Sequence, residues 1–224
     1  MFIGHFAVGL AAKKASPKTS LGTLFLASQF LDLLWPVLLI LGIEHVRIAP
    51  GNTAVTPLDF YDYPISHSLA AVLGWSAALG GIYFGVRRNS RGAVVVGVCV
   101  LSHWLLDAVV HRPDLPLFPG GGVLIGLGLW RSVGATVVVE AGIFALGVWI
   151  YMRSTAARDR IGRFALAGLV GFLAVGYLAS ILAPPPPSVQ ALQWGAVTMW
   201  ALVPWGYWID RHRRALADRR GPSQ

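Results

Sequence analysis

The sequence has 224 residues, of which 55% are hydrophobic and only 12% are charged, and its mean hydropathy is +0.63. Soluble domains carry about 25% charged residues, so this composition excludes an ordinary soluble protein and indicates a polytopic membrane protein. The net charge of +8 lies in short basic clusters between apolar runs of about 20 residues, the length that crosses a bilayer. The positive charge is therefore explained by the orientation of the chain in the membrane. No nucleic-acid partner is expected.

The apolar runs predict an all-α protein with six transmembrane helices. Residues 1–12 are too few to cross a bilayer and should form a short re-entrant or buried helix. The spans are predicted at 20–43, 65–86, 92–111, 132–152, 162–183 and 189–209. Pro36 should kink the first span, because proline cannot donate to the carbonyl of Asp32. We assign residues 1–210 to one transmembrane domain, whose site lies mainly within 1–131, and residues 211–224 to a basic cytoplasmic tail.

Two connections are unusual for their length and composition. Residues 44–64 form a polar loop whose aromatic side chains suit a membrane interface. Residues 112–131 are too broken by proline and glycine for a regular span and too apolar for a simple loop. They predict a re-entrant or surface-lying segment.

The distribution of lysine and arginine predicts the orientation. If the amino terminus is cytoplasmic, the cytoplasmic segments hold Lys13, Lys14, Lys18, Arg87, Arg88, Arg91, Arg153, Arg158, Arg160, Arg163, Arg211, Arg213, Arg214, Arg219 and Arg220. Only Arg47, Arg112 and Arg131 fall on the outer side. The positive-inside rule therefore favours six spans in a bacterial inner membrane, with both termini in the cytoplasm.

The third predicted span carries three ionisable residues at helical spacing. His103, Asp107 and His111 follow one another at intervals of four, so they share one helix stripe about 12 Å long. Such groups are costly within a membrane unless they face a cavity, a partner or a metal, which favours a functional interpretation. The alternative is a set of polar residues that holds helices together.

Four ionisable residues are expected to share one layer of the membrane. Counted at about 1.5 Å per residue from the nearest basic cluster, their depths lie between roughly 18 and 24 Å. They are Asp32, His103, Asp107 and Glu140. By the same count His67 and His111 lie at the outer mouth, and His5 lies nearer the inner side. The spans can therefore converge on one polar site in the outer half of the membrane.

Histidines and carboxylates without cysteine form the ligand set of a divalent ion, zinc above all, with manganese or iron as alternatives. The single cysteine, Cys99, lies in an apolar run and offers no thiolate site. The predicted metal ligands are His5, Asp32, His67, His103, Asp107 and His111. Asp32, His103 and Asp107 are predicted to be catalytic. Residues predicted to contact substrate or support the ligands are Asp62, Arg112 and Glu140.

Other roles remain open for several of these residues. Asp32 could cap a kink at Pro36, and His67 could cap the start of a helix. His5 could lie at an interface, and Glu140 could pack helices together. A transporter or channel for a metal ion or proton could use the same intramembrane residues.

Four motifs carry a resemblance to a known family. They are G-H at 4–5, F-L-D at 30–32, S-H-S at 66–68 and L-S-H-x-x-x-D at 101–107, the last followed by a P-L-F-P turn. They resemble the bacterial membrane-bound metal-dependent hydrolases of the LexA-regulated type. That family often has P-D-x-D in the first span, where this chain keeps only Asp32, and often a second histidine where Asp62 stands. The resemblance implies a metal-dependent hydrolase and leaves the number of ions open.

A fainter resemblance is to zinc-dependent phospholipases C and P1-type nucleases, and it concerns only the chain order of the ligands. That order is matched here by His5, Asp32, His67, His103, Asp107 and His111. It implies phosphoesters as the substrate class. Together the motifs suggest hydrolysis of a phosphoester or ester, with a membrane lipid or a lipid-linked molecule as the substrate, presented from the outer leaflet.

Overall fold

The computed structural model describes residues 1–216, and most of them are helical. The helices are α1 (Ile3–Ala15), α2 (Leu21–Ser28), α3 (Phe30–Ile40), α4 (Pro64–His67), α5 (Leu69–Arg87), α6 (Ser90–Val110), α7 (Val133–Ser154), α8 (Arg160–Leu182), α9 (Val189–Val197) and α10 (Leu202–Arg211). The strands are β1 (His45–Ile48), β2 (Leu58–Asp62), β3 (Leu115–Pro116), β4 (Leu124–Ile125), β5 (Thr155–Ala157) and β6 (Arg213–Ala215). Of the predicted tail, residues 217–224 lie outside the described residues.

Side-chain caps fix where six of these helices begin. Each capping oxygen accepts a hydrogen bond from the backbone N–H three residues further on, which pairs one of the free amides of the first turn. The caps are Ser20, Ser68, Asn89, Ser132, Asp159 and Ser188. The cap of α5 is thus Ser68, so the neighbouring His67 is not needed for that role.

Four helices are long and apolar enough to cross a membrane, namely α5, α6, α7 and α8. The bent pair α2 and α3 makes a fifth if it is counted as one span. These helices coincide with five of the predicted spans. The segment predicted as the sixth is divided into α9, a 3-10 turn at Thr198–Ala201 and α10.

The first span bends at a different residue from the one predicted. Helices α2 and α3 meet at 58° around Gln29, whose backbone leaves the helical region, whereas α3 continues through Pro36. The break between the two helices of this span is therefore at Gln29, seven residues before the proline at which the sequence predicts a kink. The break at Gln29 places Asp32 in the first turn of α3 and leaves the carbonyl groups at the end of α2 open to other donors.

Helix α1 lies in the centre of the bundle, packed against α2, α6, α7 and α8. Most of its residues are buried, and Phe6 and Leu10 belong to the larger apolar core. It approaches α7 closely because Gly147 has no side chain: a Cβ there would lie 2.5 Å from the carbonyl oxygen of Ala7. The short buried amino-terminal helix expected from the sequence is present and extends to Ala15.

The connections contain short antiparallel ribbons, which corrects the purely helical expectation. Strands β1 and β2 form a hairpin within the predicted polar loop, and β3 and β4 pair within the segment broken by proline and glycine. We call this the hairpin end of the bundle. At the other end, which we call the basic end, β5 pairs with β6, so the start of the predicted tail packs on the bundle through the buried Arg213.

Candidate metal site

Five predicted ligands meet between four helices. His5 comes from α1, Asp32 from α3, His67 from the end of α4, and His103 and Asp107 from successive turns of α6. Two groups among them could hold a metal ion: His5 with His103 and Asp107, and Asp32 with His67 and His103. We call these five residues the metal cluster. Residues far apart in sequence are thus collected at one point of the fold. The sequence predicts a common depth for Asp32, His103 and Asp107 among them, but it puts His67 at the outer mouth and His5 nearer the inner side.

Four ligand atoms form a compact set. The Nε2 atom of His103 lies 3.2 Å from Asp107 Oδ2 and 3.6 Å from Asp32 Oδ1. The Nε2 atom of His67 lies 3.8 Å from the same oxygen of Asp107 and 3.7 Å from the same oxygen of Asp32. Two histidine nitrogens therefore face two carboxylate oxygens at nearly equal distances.

These distances suit ligands around an ion better than ion pairs. A hydrogen bond between nitrogen and oxygen rarely exceeds about 3.2 Å, and three of the four separations are longer. Ligand atoms bound tetrahedrally to zinc at about 2.0–2.1 Å lie about 3.3 Å from one another. The observed range of 3.2–3.8 Å brackets that value. The donor set and its spacing therefore fit a divalent cation.

Hydrogen bonds on the far side of the histidine rings set their tautomers. Nδ1 of His103 lies 2.8 Å from the carbonyl oxygen of Ser28, which can only accept. The proton of that ring is therefore on Nδ1, and the Nε2 lone pair faces the carboxylates. Nε2 of His103 has no hydrogen-bond partner among the described residues. When Nε2 of His103 carries no proton, its lone pair is available to a cation that lies between the ring and these carboxylates.

His67 is held in the same way through a serine and a buried acid. The hydroxyl of Ser66 donates to Glu44 Oε2 at 2.6 Å, so its oxygen can accept from Nδ1 of His67 at 2.7 Å. Glu44 is fixed in turn by the backbone amides of Ile65 and Ser66, each 2.7 Å from Oε1. This chain leaves Nε2 of His67 as the ligand atom and resembles the carboxylate support that histidine ligands commonly have.

The two candidate groups share His103, which limits how many ions they can hold. A single Nε2 lone pair binds one ion, so both groups cannot be filled separately through that atom. The ring of His5 lies parallel to that of His103, with centroids 3.5 Å apart, and its Nε2 is 3.0 Å from Asp107 Oδ1. One ion at a time can therefore use Nε2 of His103, either with His5 and Asp107 or with Asp32 and His67.

The metal cluster forms part of the wall of a cavity of about 530 Å³. Asp32, His67 and Asp107 line it together with His111 and Glu140, and the loop between β1 and β2 covers it. The side chain of Asp32 is 26% exposed, whereas those of His67, His103 and Asp107 are at most 5% exposed. The accessible side of the site is thus the side of Asp32, where a water or substrate could complete the coordination.

His111 lies outside both candidate groups. Helix α6 ends at Val110, and the backbone of His111 is extended, so the third residue of the predicted stripe leaves the helix. Its Nδ1 pairs with Asp114 Oδ1 at 2.8 Å, and its ring packs on Trp130. Tyr63 also donates to Asp114, and burial, followed by that carboxylate, raises the pKa of the Tyr63 phenol. His111 lines the cavity, but it belongs to neither group of candidate ligands.

The predicted substrate residues Asp62 and Arg112 belong to the hairpin end. Asp62 is exposed and pairs with His45, while Arg112 donates to Asp59 and Asp114. Neither lines the cavity in the described structure. The charged groups of both residues are already paired with side chains of opposite charge. Their position therefore does not support the predicted contact with a head group.

Glu140 supports the amino-terminal helix. Its Oε2 accepts from the backbone amide of Phe2 at 2.9 Å and from that of Gly4 at 3.4 Å. A carboxylate there satisfies free amides at the start of α1 and complements the helix dipole. The amino group of Met1, in the same wall, donates to Asp107. Glu140 thus holds the start of α1, the helix that carries His5. The sequence left two roles open for Glu140, support of the ligands and helix packing, and this contact is a supporting one.

Sequence reasoning missed several residues of this site. Glu44 and Ser66 act through His67, and the carbonyl of Ser28 acts through His103. Two cavity-lining side chains, Trp35 and Tyr177, have buried polar atoms without hydrogen-bond partners in the described structure. No spacing in the sequence predicts these residues. The contacts of Glu44 with Ser66 and of Ser28 with His103 join segments that only tertiary folding brings together.

No family model, no curated protein and no solved structure matches the chain. The motif resemblance therefore stays an expectation. The function of the chain is therefore inferred from the geometry and chemistry of its own residues.

Proposed function

We propose that this chain is a membrane-embedded, metal-dependent hydrolase of phosphoesters or esters. One observation carries the proposal: two Nε2 lone pairs and two carboxylate oxygens lie 3.2–3.8 Å apart in the wall of a cavity. Asp107 is paired through its other oxygen with the Met1 amino group, but Asp32 and the two Nε2 atoms form no direct hydrogen bond in the described structure, as they would if they only stabilised the fold. The separations between these nitrogen and oxygen atoms leave room for an ion, and the cavity gives a substrate access to it. Such an arrangement suits catalysis.

Zinc is the ion that this donor set favours, and manganese or iron are the alternatives. Bound there, the ion would polarise the substrate oxygen and make water more acidic. The rigid α6 fixes the separation of His103 and Asp107, while Asp32 supplies the accessible side. His5 steadies Asp107 and the ring of His103 without having to bind the ion.

Proton transfer can be assigned to a second histidine in the same cavity. The Asp114 carboxylate holds Nδ1 of His111, which leaves Nε2 of His111 to exchange a proton with the substrate or the leaving group. The unpartnered Tyr177 hydroxyl and Trp35 indole can donate to substrate oxygens. These groups replace Asp62 and Arg112 as the proposed substrate contacts.

The proposed orientation is six spans in a bacterial inner membrane, with both termini in the cytoplasm. The α9 and α10 segment is the sixth span, broken at its 3-10 turn as the first is broken at Gln29. Support comes from α9 packing on α3 and α10 packing on α2. Reporter fusions after Arg88 and after Arg158 should both report cytoplasm, and an external signal from either contradicts this topology.

A transport function is the alternative, and the bundle interior argues against it. A proton or ion path needs polar groups from one face to the other. Below the metal cluster the described core is apolar, with Phe6, Leu10, Phe25 and Leu169 fully or almost fully buried. The next charged pair, Lys13 with Asp210, is closed by direct hydrogen bonds. The polar groups thus form two separate clusters, which favours an enzyme.

The test is metal content and hydrolysis measured on the same purified protein. We expect about one divalent ion per chain, because one Nε2 of His103 is shared, and chelator-sensitive hydrolysis of bis(p-nitrophenyl) phosphate, p-nitrophenyl acetate or head-group-labelled lipids. His103→Ala should abolish both. His45→Ala is the matched control, since this histidine is exposed and pairs only with Asp62.

Two results would overturn the proposal. Hydrolysis that survives both chelator and His103→Ala would place catalysis elsewhere. Zinc or proton flux in proteoliposomes, lost in His103→Ala without any hydrolysis by wild type, would establish transport.

A further inference from the structure

A second, larger cavity lies beside the metal cavity. Its volume is about 720 Å³, and it is enclosed by α8, α9 and α10 with the proline-rich turn at 184–187. Its walls are apolar or small side chains, and Thr198 and Trp205 alone among them carry polar side-chain atoms. The Thr198 hydroxyl is satisfied by the carbonyl of Gly195 at 2.6 Å. The Trp205 indole nitrogen, which has no hydrogen-bond partner in the described structure, is the one donor that the walls leave free. A single donor cannot hold a water that needs two to four partners, so the cavity suits hydrocarbon.

The two cavities lie side by side, and three residues, Phe2, Pro186 and Leu192, form part of the wall of both. The ring of Phe2 stacks on Tyr177 of the metal cavity, with centroids 6.5 Å apart, and also approaches Gly176, at the wall of the apolar cavity. A single molecule could therefore have a polar part at the metal cluster and an apolar part between α8 and α9.

The apolar cavity is open toward the side of the bundle. Phe172 in its wall is 55% exposed, and Ala191 and Gly195 on α9 are exposed as well. In a bilayer this side faces lipid, so a hydrocarbon chain can enter laterally without crossing water.

We propose that the apolar cavity binds one acyl chain of the lipid whose ester or phosphoester lies at the metal cluster. This inference rests on the proposed hydrolase function and names its substrate class as a lipid with a long acyl chain. Moving a chain from the bilayer into the cavity gains no hydrophobic energy, because both surroundings are apolar. The cavity acts by positioning: it fixes the reacting bond of a long-chain substrate relative to Asp32 and His111.

The deciding variant is Gly195→Trp. A Cβ at Gly195 meets nothing within 4 Å, so the indole can occupy the cavity without a clash in the backbone. The matched control is Gly171→Trp on α8, which is also exposed and also meets nothing within 4 Å but does not line the cavity.

The first measurement is photocrosslinking, which needs no turnover. Protein in phosphatidylcholine vesicles that contain phosphatidylglycerol with a diazirine at the end of one acyl chain is irradiated, and labelled peptides are mapped. We expect labelling concentrated on the α8 and α9 residues of the cavity, lost in Gly195→Trp and kept in Gly171→Trp. Labelling spread evenly over the exposed faces of α5 to α8, unchanged in Gly195→Trp, overturns the proposal.

The second measurement is chain-length selectivity. Gly195→Trp should lower the rate on long-chain substrates by about tenfold or more and leave bis(p-nitrophenyl) phosphate hydrolysis unchanged. An equal loss on both substrates contradicts a chain site. If the wild type hydrolyses nothing while labelling stays confined to the cavity, the chain site stands and the hydrolase proposal fails.

Discussion

Two clusters of charged side chains lie at different depths of this bundle, and they pair their charges differently. At the basic end, Lys13 Nζ donates to Asp210 Oδ2 at 2.7 Å and to the carbonyl of Thr19 at 2.9 Å. In the metal cluster, His67 and His103 stand 3.2–3.8 Å from Asp32 and Asp107. The Lys13–Asp210 pair is closed by direct hydrogen bonds. In the metal cluster Asp107 Oδ1 is paired with the Met1 amino group and His5, whereas three of the four separations between the inward Nε2 atoms and the carboxylates exceed hydrogen-bond length.

The difference separates a structural charge pair from a ligand set. The Lys13–Asp210 pair links α1 to α10, and Asp210 also accepts from the amide of Leu21, so its charge is fully used within the fold. In the metal cluster, Nδ1 of His67 and Nδ1 of His103 form hydrogen bonds on the outer side of their rings, and Nε2 of each ring faces inward. Burial alone does not distinguish the clusters, but the direction of the hydrogen bonds does.

The largest expected effect comes from Asp107→Asn. The amide removes a charged ligand that faces both His67 and His103, so bound metal should fall from about one ion per chain to almost none. The check is elemental analysis after purification in detergent, with the elution profile as evidence of folding. Metal retained at the wild-type ratio would contradict the assignment of Asp107 as a ligand.

The matched substitution in the other cluster is Asp210→Asn. Removing one partner of a buried ion pair costs about 3–5 kcal/mol, and the part-exposed Asp210 should lie near about 3 kcal/mol. Thermal unfolding in detergent should report this loss, while the metal content stays at the wild-type value. If Asp210→Asn lost metal as Asp107→Asn does, the two clusters would not be functionally distinct.

A smaller effect is expected from the support of His67. Glu44→Gln or Ser66→Ala leaves the ligand atoms in place but loosens the tautomer and orientation of the ring. Losing such a support typically weakens metal affinity about 10–100-fold, which a competition titration with a fluorescent chelator would measure. Asp62→Asn, an exposed acid of the same loop, is the control and should leave the affinity unchanged.

The smallest effect concerns the exposed pair Asp159 and His212 at the basic end. The hydrogen bond from His212 lowers the pKa of Asp159, and that carboxylate also caps α8. A carboxyl group with a lowered pKa stabilises the folded state above its unfolded pKa of about 4 and loses that contribution as the pH falls further. His212→Ala should therefore be slightly less stable than wild type at pH 7, and the difference should vanish in acid. A difference that persisted well below the unfolded pKa of the carboxyl group, about 4, would contradict the pair.

Much of the bundle could be predicted from hydropathy, since a run of about 20 apolar residues has few alternatives to a spanning helix. The spans from α5 to α8 and the buried amino-terminal helix follow from that rule. That rule does not predict the break at Gln29, while α3 continues through Pro36. The segment predicted as the sixth span is divided at Thr198–Ala201, which hydropathy does not predict either, since local breaks depend on partners across the bundle.

The sequence by itself determined which residues are available for chemistry, because ionisable groups within apolar runs are too costly to be accidental. His103 and Asp107 were also placed together, since a spacing of four residues on one helix fixes their separation. Only the tertiary structure decided which other groups face them. It turned Asp32 inward through the bend at Gln29, withdrew His111 toward Asp114, and supplied Glu44 and Ser66 behind His67. The contact of Glu44 with Ser66 and the approach of Asp32 to His67 and His103 join segments that are distant in the sequence, and no local rule of helix geometry predicts them.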